Sequence, residues 1–307
     1  MGVLPVIPVI SFKQRKIKHK ERSAMSNKNK VEAIGLSLSV YIILYLLTSF
    51  VLSALSDAIY TVLSLLFKIV RFGVPVLVYA KLTGYKPDLK AVKPKGGTLL
   101  EFAFAVSFVV TAVNVVGTVT DKLFSLIGIN NVQGQIPRDA GALITMFLGS
   151  VLLAAVAEEI LFRGAVMDAL NGFGDKTKIF LSALLFALMH CNLLQIPYSF
   201  VAGAIISAFS VRTGSLLYAI AIHFTANAVT YAFTLVRVFS SKKTAEFASD
   251  IAFLVFALAS LAGIAYFVIK RKKSEANEPK FTLKQFFTAG TAIYLSFTLL
   301  LSILSIT

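Results

Sequence analysis

Runs of about twenty apolar residues recur from residue 33 almost to the end of the chain, long enough for an α-helix to cross a hydrocarbon core of about 30 Å. They lie near 33–56, 59–81, 99–119, 140–170, 178–192, 196–211, 214–236, 248–270 and 284–306, about eight or nine segments in all. A membrane β-barrel would show alternating segments of about ten residues, and none occurs. The chain is therefore predicted to be all-α, a polytopic transmembrane helical bundle. Composition agrees: 57% of residues are hydrophobic and mean hydropathy is +0.81, above any ordinary soluble domain.

A net charge of +15 raises the question of nucleic acid. The Lys and Arg residues, however, gather between apolar runs: FKQRKIKHKER before the first, KLTGYKPDLKAVKPK after the second, DKTK after the fourth, Arg212 after the sixth and KRKK after the eighth. If every segment spans, all of these fall on one side, which the positive-inside rule makes cytoplasmic. RVFSSKK after the seventh segment departs mildly from the pattern. The charge is thus topological; the expected partner is lipid and not nucleic acid. Residues 1–32 read as a basic cytoplasmic tail, 33–306 as the transmembrane domain and 140–235 as its catalytic core. The opening MGVLPVIPVISF precedes its basic residues, the reverse of a signal peptide, and Met25 is a plausible alternative start. The short fifth and sixth segments suit a tight helical hairpin that does not fully cross, and 120–140 suits a loop or interfacial helix. A single cysteine, Cys191, excludes an internal disulfide.

Against this apolar background, polar residues inside the runs stand out. A carboxylate at mid-membrane costs roughly 3 kcal/mol on insertion scales, yet the fourth run carries Glu158 and Glu159 side by side. The fifth carries His190, and the seventh His223 and Asn227. Counted from the basic ends of their helices, Glu158, His190 and His223 lie ~20, ~18 and ~17 Å deep. Three helices therefore deliver polar groups to one level. Glu159 and Arg163 are i,i+4 with the acid first, the favourable order for an ion pair, which leaves Glu158 on a neighbouring azimuth for chemistry. His223 and Asn227 are also i,i+4, and Phe186 lies one turn before His190.

Residue type then suggests the reaction. Amide hydrolysis needs a base for water and donors for the oxyanion. A carboxylate desolvated among apolar helices is a stronger base than one in water. Glu158 with His190 suits the attacking water, and His223 with Asn227 suits the oxyanion. Glu158, His190 and His223 would equally suit zinc, and the HExxH motif that usually marks such a site is absent. Spacing leaves metal-dependent and metal-free catalysis both open, with no cofactor required on the preferred reading.

EEILFRG, FALMH and HFTAN resemble, in order and spacing, the EExxxR, FxxxH and HxxxN motifs of the CAAX-protease and bacteriocin-processing family. Glu158, Glu159, Arg163, Phe186, His190, His223 and Asn227 fill every motif position. The resemblance covers roughly 140–235. It implies an intramembrane endopeptidase acting on membrane-associated proteins or peptides, in some members prenylated CaaX termini. On that resemblance Glu158 is the general base, His190 its water-holding partner, His223 and Asn227 the oxyanion site, and Glu159–Arg163 a supporting pair. Other members serve as scaffolds or in bacteriocin self-immunity, so a catalytically silent protein is the alternative. A proton-coupled transporter is disfavoured, because the polar groups converge at one depth and no pair of broken helices marks a midplane site. Lys68 and Arg71, deep in the second run, are given no function; snorkelling or pairing with an acid would accommodate them. Glu101 and Asp168 fall near segment ends, within reach of water. Gly203 and Ser207 suit close helix packing.

Overall fold

The computed structural model describes residues 27–55, 57–89, 99–130, 136, 138–270 and 282–305. The basic tail before Asn27, with the alternative start at Met25, lies outside them. Among the described residues the chain is all helix: α1 Asn27–Ser53, α2 Asp57–Thr83, α3 Leu99–Ser125, α4 Ala140–Ala169, α5 Asp175–Leu188, α6 Ile196–Thr213, α7 Leu216–Phe239, α8 Lys242–Ile269 and α9 Ala289–Leu304. Seven of these are long and apolar enough to cross a membrane, the exceptions being α5 and α9. The protein is a multi-pass helical membrane protein. At 14 residues α5 is only ~21 Å long, too short for a full crossing, and it packs closely on α6 as a hairpin.

Helix ends follow from local chemistry. Asp139 caps α4 by accepting from Ala142 N–H, Ser215 caps α7 through Tyr218 N–H, and Ser241 caps α8 through Thr244 N–H. Gly214, with φ +65°, ends α6 in the left-handed conformation. Two boundaries differ from the sequence reading. Helix α1 already begins at Asn27, inside the stretch read as tail, and α3 runs on to Ser125, so the first residues of the stretch expected as a loop or interfacial helix continue the preceding helix.

α4 is not uniform. It is α-helical over Ala140–Met146 and Ala154–Glu159, but widens into π-helical turns over Phe147–Leu153 and Ile160–Val166. In the first of these, Ala154 N–H reaches back five residues to Gly149 C=O. Such insertions are frequent at functional sites.

The bundle has two cores. One joins α1, α2, α4, α5 and α9 around Ile34, Leu38, Tyr79, Phe162, Leu185 and Tyr294. The other joins α3, α6, α7 and α8 around Ala105, Ile206, Ala219, Ile222 and Phe256. In the first, α1 and α9 touch backbone to backbone: a Cβ on Gly35 would run into Gly290 and Thr291, and one on Gly290 into Gly35 and Leu36. Ser39 Oγ bridges the same contact, donating to both Gly35 and Gly290 carbonyls. Large apolar side chains elsewhere on the helices, such as Phe50, Leu77, Phe247 and Val268, face outward, as lipid contact requires.

Glu101 departs from expectation. It is 3% exposed, not at the water surface, and Arg212 reaches it from α6 at 3.0 Å while Tyr266 OH donates to it from α8. Arg212, read as a topology marker, is therefore also one half of an ion pair that ties α6 to α3. Asp168 does stay half-exposed, held by Lys30 Nζ at 2.9 Å and Tyr79 OH at 2.7 Å. Arg71 is satisfied by Thr48 and Ser49 and lies over the Tyr45 ring.

Candidate active site

A cavity of about 350 Å³ lies where the two cores meet. Glu158 enters it from α4, Phe186 and His190 from the end of α5, and His223 and Asn227 from α7. The residues expected to act together thus share one cavity, although their helices are far apart in the chain. Glu158 is buried, and among the described residues no protein hydrogen bond to its carboxylate is present. Its oxygens belong to the cavity.

His190 sits just past the last turn of α5. Its Nδ1 lies 3.0 Å from Phe186 O and 3.3 Å from Ala187 O. A carbonyl can only accept, so Nδ1 must carry the hydrogen, and in the neutral ring Nε2 is left as an acceptor. The short helix is gripped from outside: Tyr294 OH donates to Leu185 O at 2.8 Å and Tyr41 OH to Met189 O at 3.3 Å. These carbonyls belong to the last turn of a helix, where intrahelical partners run out. Helices α1 and α9, outside the family-like core, thereby hold the imidazole in place. Cys191 completes the turn with φ +49°, the one non-glycine residue with positive φ among those described.

His223 is fixed differently. Its Nδ1 lies 2.7 Å from Glu159 Oε1, and the same oxygen receives Arg163 Nη1 at 2.9 Å. Glu159 and Arg163 side chains are fully buried. With Glu159 ionised, Nδ1 of His223 donates. The supporting pair expected from the i,i+4 spacing is therefore a triad, in which the acid also orients an imidazole 64 residues along the chain. Arg163 extends it: Nη2 donates to Gly203 O at 2.8 Å, and the guanidinium lies 4.6 Å over the Phe186 ring. Phe186 also meets His190 and His223 edge-on, at 5.2 and 6.0 Å between ring centres. A Cβ on Gly203 would come within 2.9 Å of that ring and 3.4 Å of Arg163 Nη2, so glycine is required for this approach.

Asn227 Nδ2 donates to Ser150 O at 2.9 Å. That commits one of its two N–H bonds and leaves the other for the cavity. Ser150 lies in the first π-turn of α4, beside Gly149, whose carbonyl receives Lys68 Nζ at 2.8 Å. Lys68 lines the same cavity. Sequence reasoning left it without a role; the pointer was its depth in an apolar run.

A second, polar cavity of about 710 Å³ opens on the other side of the triad. Its walls come from the starts of α1, α5 and α7 and the ends of α2, α4 and α6, and include Lys30, Lys86, Lys178 and Arg163. Lys86 and Lys178, from two of the basic stretches between apolar runs, thus meet at one end of the molecule. Tyr85 stands in this wall, its phenol pushed up to about 12 by burial and by the nearby Asp168 and Asp88 carboxylates.

Among the described residues, no three His, Cys, Asp or Glu side chains gather into a set that could hold a metal ion. Glu158, His190 and His223, the residues that would hold a zinc ion if one bound, line one cavity.

Residues 140–229 match the family described as type II CAAX prenyl endopeptidase Rce1-like. Over that stretch the chain is similar to this family. All seven motif residues, from Glu158 to Asn227, fall within the matched stretch, which covers somewhat under a third of the chain. No curated protein and no solved structure matches it. In the fold, the matched stretch comprises α4 to α7 apart from the last turns of α7, with α1, α2, α3, α8 and α9 packed around it.

Proposed function

We propose that this protein is an intramembrane endopeptidase that hydrolyses a peptide bond in a membrane-associated protein or peptide of the prenylated CaaX kind. The observation that carries the reading is the shared cavity: a buried carboxylate, Glu158, with no hydrogen-bond partner among the described residues, beside an imidazole whose acceptor nitrogen is defined by its own backbone bond. Water held between Glu158 and His190 Nε2 would lose a proton to Glu158 as its oxygen attacks the carbonyl. The free N–H of Asn227 would face the developing oxyanion, joined by Nε2 of His223 when that ring, its Nδ1 held by Glu159, carries a hydrogen on both nitrogens. The proton on Glu158 then passes to the leaving amine. Each step uses only groups placed at the cavity, and none is routed through a metal.

The basic end of the bundle would face the cytoplasm, where prenylated termini are presented. The polar cavity at that end is separated from Glu158 by the Glu159–Arg163–His223 triad. The apolar remainder of the smaller cavity, including Val109, Val113, Ala202 and Ile206, suits a hydrophobic chain. A role in bacteriocin self-immunity finds no support in any of these observations.

The test compares wild type with Glu158→Gln, both purified in detergent, on a library of hydrophobic and prenylated peptides read by mass spectrometry. Loss of a general base should lower the rate by ~10²–10⁴-fold. Equal cleavage by both proteins would remove Glu158 from the mechanism. Cleavage by neither, with both folded, would favour a silent scaffold.

A further inference from the structure

Lys68 is an ammonium group within an apolar helix, and no carboxylate lies within ion-pair distance of it among the described residues. Among the described residues its hydrogen-bond partner is the Gly149 carbonyl, which already accepts Ala154 N–H and takes the ammonium on its second lone pair. An ammonium has three hydrogens, so up to two remain for the cavity it lines. It shares that cavity with Glu158. Charges at this depth are expensive, usually paired, and by default mark a function. None of the other residues lining the cavity is a Lys or Arg.

We propose that Lys68 receives the free C-terminal carboxylate of the substrate. The inference rests on the endopeptidase reading and adds to it a rule for where the cut falls. A substrate of the C-a-a-X kind ends in a carboxylate three residues beyond its prenylated cysteine. Three extended residues span about 10 Å, so a cation and a base in one small cavity can hold the two ends of such a tripeptide. The carboxylate would form a charge-assisted bond in place of water, while Gly149 O keeps the ammonium aimed. Lys68 then acts as the zero of a scale, and Glu158 reads the bond a fixed distance from it. Lys68 binds and positions; it takes no part in bond breaking.

The experiment uses the full chain in detergent and a fluorescent decapeptide with S-farnesyl cysteine fourth from its end. The peptide is made once with a free C-terminal carboxylate and once as the carboxamide. Binding is measured by fluorescence anisotropy and cleavage by mass spectrometry, for wild type, Lys68→Met and Lys68→Arg. Wild type should bind the carboxylate ~30-fold or more tightly than the carboxamide, as expected when one partner of a desolvated charge pair is removed. Lys68→Met should bind both peptides alike and weakly, and Lys68→Arg should restore part of the preference. Equal binding of the two peptides by wild type overturns the proposal, as does a preference that survives in folded Lys68→Met. Cleavage without carboxylate preference would sink the role of Lys68 and spare the protease. Carboxylate-selective binding without cleavage would do the opposite.

Discussion

At the scale of residues, Glu158 and Glu159 are chemical twins one position apart, and their surroundings separate them. Glu158 projects into the cavity with no hydrogen-bond partner among the described residues, whereas Glu159 is wholly enclosed and bonds Arg163 and His223 through one oxygen. Replacing Glu159 by Gln keeps the shape but gives His223 a neutral amide in place of an anion. We expect kcat to fall by ~10–100-fold, the usual cost of losing the group that orients a catalytic imidazole, with KM nearly unchanged. A peptide-cleavage assay at saturating substrate checks this; an unaltered kcat would mean that His223 does not depend on Glu159. The i,i+4 pair Glu159–Arg163 was legible in the sequence because both residues lie on one helix. The bond to His223 was not, because it depends on how α4 and α7 are rotated against each other, which local spacing does not encode. Lys68 was visible as an anomaly of depth, but its direction was set by a carbonyl on another helix.

At the scale of elements, α5 shows how a half-length helix becomes a precise support. Its apolar run, FLSALLFALM, announces a helix, and its brevity was legible in the flanking Lys178 and Asn192. What stops it is a left-handed residue at Cys191, with the thiol buried and His190 immediately before it. Cysteine in that conformation pays roughly 1–2 kcal/mol relative to glycine, and a β-branched residue would pay more. Cys191→Gly should therefore melt at the same temperature as wild type or higher, and Cys191→Val lower by several degrees. Thermal unfolding in detergent decides between them. Val should also reduce cleavage, since His190 hangs from the same turn. Neither the tyrosine clamps from α1 and α9 nor the π-turns of α4 could be read from the chain beforehand. A tyrosine in an apolar run tells that its hydroxyl needs a partner, but not which one.

At the scale of the whole molecule, the number and order of the helices were legible, since lipid demands long, self-satisfied helices and the chain spells each one in apolar residues. The partition into two cores was not, because membrane helices associate through shape and small residues more than through hydrophobic pattern. The Gly35–Gly290 contact is an instance: it closes the first core by bringing together residues from opposite ends of the described chain. Gly35→Leu would separate α1 from α9, an overpacking that costs at least about 1–3 kcal/mol. It should lower the melting temperature and, by loosening Tyr41 and Tyr294 from α5, reduce cleavage without touching the cavity; unchanged melting would mean that the two helices do not need this contact. The π-turns of α4 act at this scale as well. An α-helix advances about 100° per residue, and each π-turn accommodates roughly one residue more than an α-turn. Deleting one residue from Phe147–Leu153 would let that stretch rewind as ordinary helix and swing everything on one side of it by about a quarter-turn or more relative to the other. Glu158 would then look into a different neighbour. The direction of the proposed base is thus written as a count of residues along its own helix, and an insertion or deletion that leaves every motif letter intact would still silence it.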